Sequence, residues 1–182
     1  MASELGVQTI QHTNGTDALT VGSDGAVAID RIQIPSFMVI ATDLDQAYTA
    51  NSGAVVQFET VKLDTESAWD STNHRYTPSI AGWYSLSGCV RLSSDSQPHT
   101  IIAIEIIKNG ANYQATESYM TQPQVASATF TNGSYGIPPV LMYLNGTTDY
   151  VNLVFRSGHN GTLHDNADIP SWFCGQLVKA GS

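Results

Sequence analysis

In the stretch Tyr84 to Leu92, apolar Tyr84, Leu86, Val90 and Leu92 fall on one parity and Ser85, Ser87, Cys89 and Arg91 on the other. A period of two between turn residues predicts a half-buried antiparallel strand. A polar turn (Asp70 to Asn73), a short aromatic strand at Arg75-Tyr76 and a break at Pro78 and Ala81-Gly82 precede it. Further strands are predicted at 36–41, 54–59, 99–108, 126–130, 134–144, 149–155 and 171–178. The isoleucine-rich run before Lys108 reads as a strand rather than a helix, because it is β-branched and closes on Asn109-Gly110, a hairpin signal. Pro138-Pro139 demotes part of 134–144 to an edge or a bulge. Segments 43–52 and 158–170 read as polar loops, and the stretch from Thr60 to Asn73 as turns. Eight to ten short strands without a convincing amphipathic helix predict an all-β antiparallel sandwich, with the last strand inside a sheet.

Residues 1–34 differ. They hold two or three short β segments separated by Asn14-Gly15 and Asp24-Gly25, and the apolar pairs Leu19/Val21 and Val27/Ile29 are too sparse for a core. The predicted organisation is therefore a β arm (1–34) and a sandwich domain (35–182). Such short-hairpin arms resemble the stems that open bacteriophage fibre and tail modules.

Composition narrows the function. The chain is 182 residues long with 13% charged residues and abundant Ser, Thr, Asn, Gln and Gly, a hydroxyl- and amide-rich composition found in secreted and virion β-proteins. Net charge is −9 with only seven Lys plus Arg, which supplies no basic footprint for nucleic acid and no attraction to an anionic membrane. No basic-then-apolar segment opens the chain and no apolar run approaches ~18 residues, so neither a signal peptide nor a membrane span is expected. Two cysteines, Cys89 and Cys174, do not make a disulfide framework.

The order of features resembles the globular head of complement component one-q and its tumour-necrosis-factor relatives. Phe58-Glu59-Thr60, Trp69-Asp70, Arg75-Tyr76-Thr77-Pro78 and Ala81-Gly82-Trp83-Tyr84 carry the resemblance first. Lys108-Asn109-Gly110, then Leu144-Asn145-Gly146 with Asp149-Tyr150-Val151, and Ser171-Trp172-Phe173-Cys174-Gly175-Gln176-Leu177 follow in the family's order. Residues 36–179 are covered. The resemblance implies an antiparallel jelly roll of about ten strands that assembles as a homotrimer. It also implies that the strand of Tyr84 and the last strand are neighbours whose second face meets the three-fold axis. Trp83, Cys89, Arg91, Trp172, Cys174 and Gln176 are then the trimer-facing set, Tyr84, Leu86, Val90, Phe173, Gly175 and Leu177 face the core, and Cys89 lies near Cys174. A β arm in place of a collagen-like stalk points to a virion protein of a bacteriophage, made in the host cytoplasm, or to a bacterial surface protein.

Catalysis is not expected: there is no phosphate-cradling glycine loop, no nucleophile elbow and no paired carboxylate beyond solvated loop positions. His159, His164, Asp165 and Asp168 share one loop and are metal-ligand types without a recognised spacing; loops also gather such residues for turns. No cofactor is expected, with Ca²⁺ left open because family members hold it near the top of the trimer. Tyr48, Trp69, Tyr113, Tyr119 and Tyr135 lie in or beside predicted loops and edges, where aromatic faces among amides and hydroxyls suit a sugar, or simply cap the sandwich. The expected function is a non-enzymatic trimeric virion structural protein. Its first form is a tail-fibre or receptor-binding head that attaches to a host-surface glycan or protein, with the arm contacting other virion proteins. The alternative is a capsid decoration or head-fibre trimer that stabilises the shell.

Overall fold

The computed structural model describes residues 9–11, 17–21, 23–24, 27–28, 34–42, 45–92, 102–112, 133–164 and 170–181. The chain divides into two compact units, Met1–Ile34 and Pro35–Ser182. In the first, β1 (Thr9–Gln11), β2 (Asp17–Val21) and β3 (Val27–Ala28) form a small antiparallel sheet in that order.

The second unit is all β among the described residues. Its strands are β4 (Ser36–Ala41), β5 (Asp45–Tyr48), β6 (Ala54–Val55), β7 (Thr60–Asp64), β8 (Trp69–Asp70) and β9 (Arg75–Tyr76). They continue as β10 (Gly82–Leu92), β11 (Ile102–Lys108), β12 (Ala111–Asn112), β13 (Gly133–Leu144), β14 (Val151–Ser157), β15 (Gly161–His164) and β16 (Ser171–Ala180). Two main sheets result. One runs β13-β10-β16-β4-β7; the other runs β12-β11-β14-β9-β8, with β6 also paired to β14. The last strand, β16, lies between β10 and β4, inside the first sheet as the sequence predicts.

The core between the sheets follows strand parity. Tyr84, Leu86 and Val90 from β10, Phe37 and Val39 from β4 and Phe173 from β16 meet Ile102, Ile104 and Ile106 from β11 and Val151, Leu153 and Phe155 from β14. The aromatic centre is continuous: Phe37 stacks on Tyr76 at 4.1 Å between ring centroids and meets Phe173 edge-on at 4.9 Å. Gly82, where β10 begins, admits no side chain, since a Cβ there would run into the Lys179 carbonyl of β16.

The quoted sequence motifs have structural explanations. Asp64 accepts hydrogen bonds from the amides of Ala68 (3.0 Å) and Trp69 (2.8 Å), which closes the turn that delivers Trp69 into the core. Glu66 accepts from Ser79 Oγ (2.5 Å) and from the Tyr76 hydroxyl (3.3 Å), fixing the approach to Pro78. Asp149 receives Lys108 Nζ at 2.6 Å and Asn109 Nδ2 at 2.7 Å, tying the β11–β12 turn to the segment between β13 and β14. Asn109 and Gly110 both have positive φ (55° and 71°), the geometry for which Asn-Gly is suited.

Three elements depart from expectation. The stretch read as turns after Thr60 contains β7, an edge strand whose apolar positions are exposed and therefore lack a buried period-two face. Residues 56–59 form no strand beyond β6, although Val56 and Phe58 are buried. The two predicted polar loops pair with each other, β5 against β15, and enclose Tyr48 and Leu163. Pro138-Pro139 behave as predicted: β13 is an edge strand, and its register with β10 shifts between Leu86 and Gly88, opposite the prolines.

Candidate interaction surface

One side of the β13-β10-β16-β4-β7 sheet faces the core; the other carries exposed apolar side chains from several strands, while Ile40 and Arg91 on it are buried. Register places its side chains in rows. Tyr143 and Trp83 stand opposite each other, followed by Leu141, Ser85, Gln176 and Ser36. The next row is Ser87, Cys174, Met38 and Leu63, and then come Gly136, Cys89, Trp172, Ile40 and Thr60. Leu141 is 56% exposed, Trp83 42% and Leu63 47%, with Met38 and Tyr143 only slightly less. Large apolar side chains exposed side by side, rather than scattered singly, mark a candidate interaction surface.

Charge sharpens the picture. None of β4, β10, β13 and β16 contains an Asp or Glu, in a chain with 16 acidic residues. Arg91 and Lys179 are the charged residues in these four strands. In the middle of the face, Ser36, Ser85, Ser87, Cys174 and Gly175 leave a depression of about 360 Å³, walled by Met38, Leu63 and Pro139.

The six residues assigned to an interface from the sequence all have the parity expected. Trp83, Cys89 and Arg91 alternate with core residues on β10, and Trp172, Cys174 and Gln176 do so on β16. They are not equally available. Trp83 and Gln176 are exposed, Cys89, Trp172 and Cys174 are half-buried, and Arg91 is only 8% exposed, its amide donating to Ser171 Oγ at 2.9 Å. Cys89 is opposite Trp172 and Cys174 is opposite Ser87, which sets the two cysteines diagonally across adjacent strands, both as thiols. Burial raises the Cys174 pKa, so this thiol is less nucleophilic than an exposed one. The sequence reading missed Met38, Leu63, Leu141 and Tyr143. Its signal was present: in 36–41 and 140–144 both parities are apolar, the pattern of strands with two faces to bury.

Two of the proposed receptor aromatics are buried. Tyr48 is buried with its ring edge-on to Phe155 at 4.9 Å, and Trp69 is buried beside Phe37 and Phe58. Both were assigned to loops because their alternation is short; each instead belongs to a small strand that caps the core. Tyr135 sits opposite Val90 on β13, half-buried against the core, and burial raises its phenol pKa. Tyr113 and Tyr119 lie outside the described residues. Of the candidate metal ligands, the His159 amide donates to Ser157 Oγ at 3.2 Å, while the His164 side chain, Asp165 and Asp168 lie outside the described residues.

No protein-family model and no curated protein matches the chain. Solved structures do. The globular domain of zebrafish complement 1qA protein superposes with a TM-score of 0.56 at 15% identity, covering 81% of this chain and 99% of that one. Murine APRIL superposes with a TM-score of 0.53 at 7% identity, covering 80% and 99%. The fold is thus the jelly-roll sandwich shared by complement one-q heads and tumour-necrosis-factor relatives.

Proposed function

We propose that this chain is a non-enzymatic, homotrimeric virion protein of a bacteriophage whose jelly-roll head attaches the particle to the host surface. One observation carries the self-association: the outward side of the β13-β10-β16-β4-β7 sheet is apolar and built from strands without a carboxylate, on a protein of net charge −9. Copies meeting through this face bring no carboxylate pairs from these strands together, and closed symmetry hides the apolar area. The resemblance to trimeric family heads supports three copies. The virion assignment is supported by the small β arm and by the hydroxyl- and amide-rich composition.

A capsid decoration or head-fibre trimer is the second reading. The inward orientation of Tyr48 and Trp69 favours it, because it removes two of the aromatics that attachment would use. Antibody labelling of purified particles tests the pair of readings: label on the tail supports attachment, and label on the shell supports decoration. The native mass of the purified chain tests the trimer, which a stable monomer would end.

A further inference from the structure

A strand at the edge of a sheet offers unpaired N–H and C=O groups to any other strand, so proteins shorten, bend or charge such edges. Three of the four edges of this sandwich are treated in that way. β12 and β8, which flank the second sheet, are two residues each. β7 carries exposed Lys62, and its register with β4 shifts between Met38 and Val39. The fourth edge is different. β13 is 12 residues long, holds Val140-Leu141-Met142-Tyr143-Leu144 as one apolar run, and lies in a stretch, Gly133 to Thr148, without a charged residue. A run of that kind on an open edge pairs readily with a second copy of itself.

Backbone alternation shows what this edge presents. The Leu177 amide donates to the Pro35 carbonyl at 2.8 Å, toward β4. Successive residues of a strand turn their N–H and C=O groups to opposite neighbours. Gln176 therefore bonds to its partner Ser85, and Tyr84 to its partner Met142. The backbone groups of Leu141 and Tyr143 then turn to the outer side of β13, where among the described residues no strand pairs. On that side Lys108 Nζ donates to the Tyr143 carbonyl at 2.8 Å. Lys108 is the last residue of β11, in the other sheet, and the same ammonium stands 2.6 Å from Asp149. Pro138 and Pro139, at the opposite end of the apolar run, have no N–H to give.

We infer that Lys108 guards the free edge of β13 against the addition of a second copy's strand. Its ammonium occupies the outward carbonyl of Tyr143 and supplies, from another sheet, the charge that the run itself lacks. Asp149 fixes the ammonium there, so an incoming strand would have to break an ion pair as well as a hydrogen bond. The prolines and Lys108 thus close the apolar run at both ends. The inference concerns the edge alone and does not depend on the trimer reading.

The test uses the full chain. Lys108→Met combined with Asp149→Asn removes the ammonium together with its carboxylate, so that no unpaired charge is left behind. Lys108→Leu replaces the methionine change should that variant unfold. Asp149→Asn alone keeps the ammonium on the Tyr143 carbonyl and is the control for lost stability. Incubated at a temperature where circular dichroism shows both folded, the double variant should lose soluble protein and gain thioflavin T fluorescence, while the control and the parent should not. Adding Leu141→Pro to the double variant deletes an outward N–H without touching the ladder to β10, and should restore solubility. Leu141→Lys, which sets a charge into the run, asks the same question should the proline variant fail to fold. A double variant as soluble as the control would overturn the inference. So would a control that aggregates equally, or aggregation that neither change at Leu141 relieves.

Discussion

The outward faces of the two sheets are finished differently. On the sheet containing β11 and β14, Ala103, Glu105, Ile107, Asn152 and Val154 point away from the core and are nonetheless buried. Glu105 is fully buried there, with Arg156 Nε 3.3 Å from its carboxylate. On the other sheet Leu141, Trp83, Met38 and Leu63 are exposed, and the four strands carrying most of that face have no carboxylate. A face that takes a carboxylate out of water and pairs it with a guanidinium is complete within one chain. A face that leaves its large apolar groups in water is a candidate for cover by another molecule. The comparison separates residues that hold the fold from residues that the proposed assembly would use.

The largest effect should come from the core that both sheets share. Phe173→Ala removes a ring that touches Phe37, Phe58 and Trp69, and should cost about 3–5 kcal/mol. Urea unfolding measures this loss, and the native mass should fall with it because neither face survives without the core. Arg156→Ala probes the closed face alone. It withdraws the counter-charge from buried Glu105 and should cost roughly 2–4 kcal/mol in the same assay. Native mass should be unchanged at temperatures where the variant is folded; altered assembly would erase the distinction between the faces.

Next in size is Asp149, which locks the turns at the ends of β11 and β13. Burial works against its charge, but hydrogen bonds from Lys108, Asn109 and the Asn145 amide outweigh this and hold its pKa below the usual 3.8. Because the folded value is depressed, the carboxylate's contribution is full above the unfolded value and is lost as pH falls through the folded one. Asp149→Asn should therefore cost about 1–3 kcal/mol at neutral pH and flatten the acid limb of a stability–pH profile. Smallest is Tyr76→Phe, about 1 kcal/mol for the bond to Glu66. Burial, with the Glu66 charge nearby, raises the Tyr76 pKa far above 10. Its folded value being raised, this phenol's contribution is present below pH 10 and lost as pH rises further, so the variant should show a shallower alkaline limb.

Much of the fold was legible because the strands that build it carry their own period. Alternation from Tyr84 to Leu92 gave β10 and both its faces, and Asn109-Gly110 and Pro138-Pro139 marked a hairpin and an edge. What was not legible depends on partners distant in sequence. β5 and β15 are each four residues long and exist by pairing across more than a hundred residues, which is why Tyr48 read as a loop aromatic and is a core one. The interaction surface was half legible. Parity found Trp83 and Cys174, and the two-faced apolar pattern of 36–41 and 140–144 held the signal for Met38, Leu141 and Tyr143, whereas Leu63 required knowing that β7 stands beside β4.

The native mass of the chain and of Leu141→Asp tests the central claim most directly, by analytical ultracentrifugation with circular dichroism as the check on folding. The proposed trimer predicts three chain masses for the parent. For the variant, which sets a carboxylate into the acid-free face, it predicts one chain mass with an unchanged β spectrum. A parent chain that remains monomeric at micromolar concentration, or a variant that still sediments as the trimer, would contradict it.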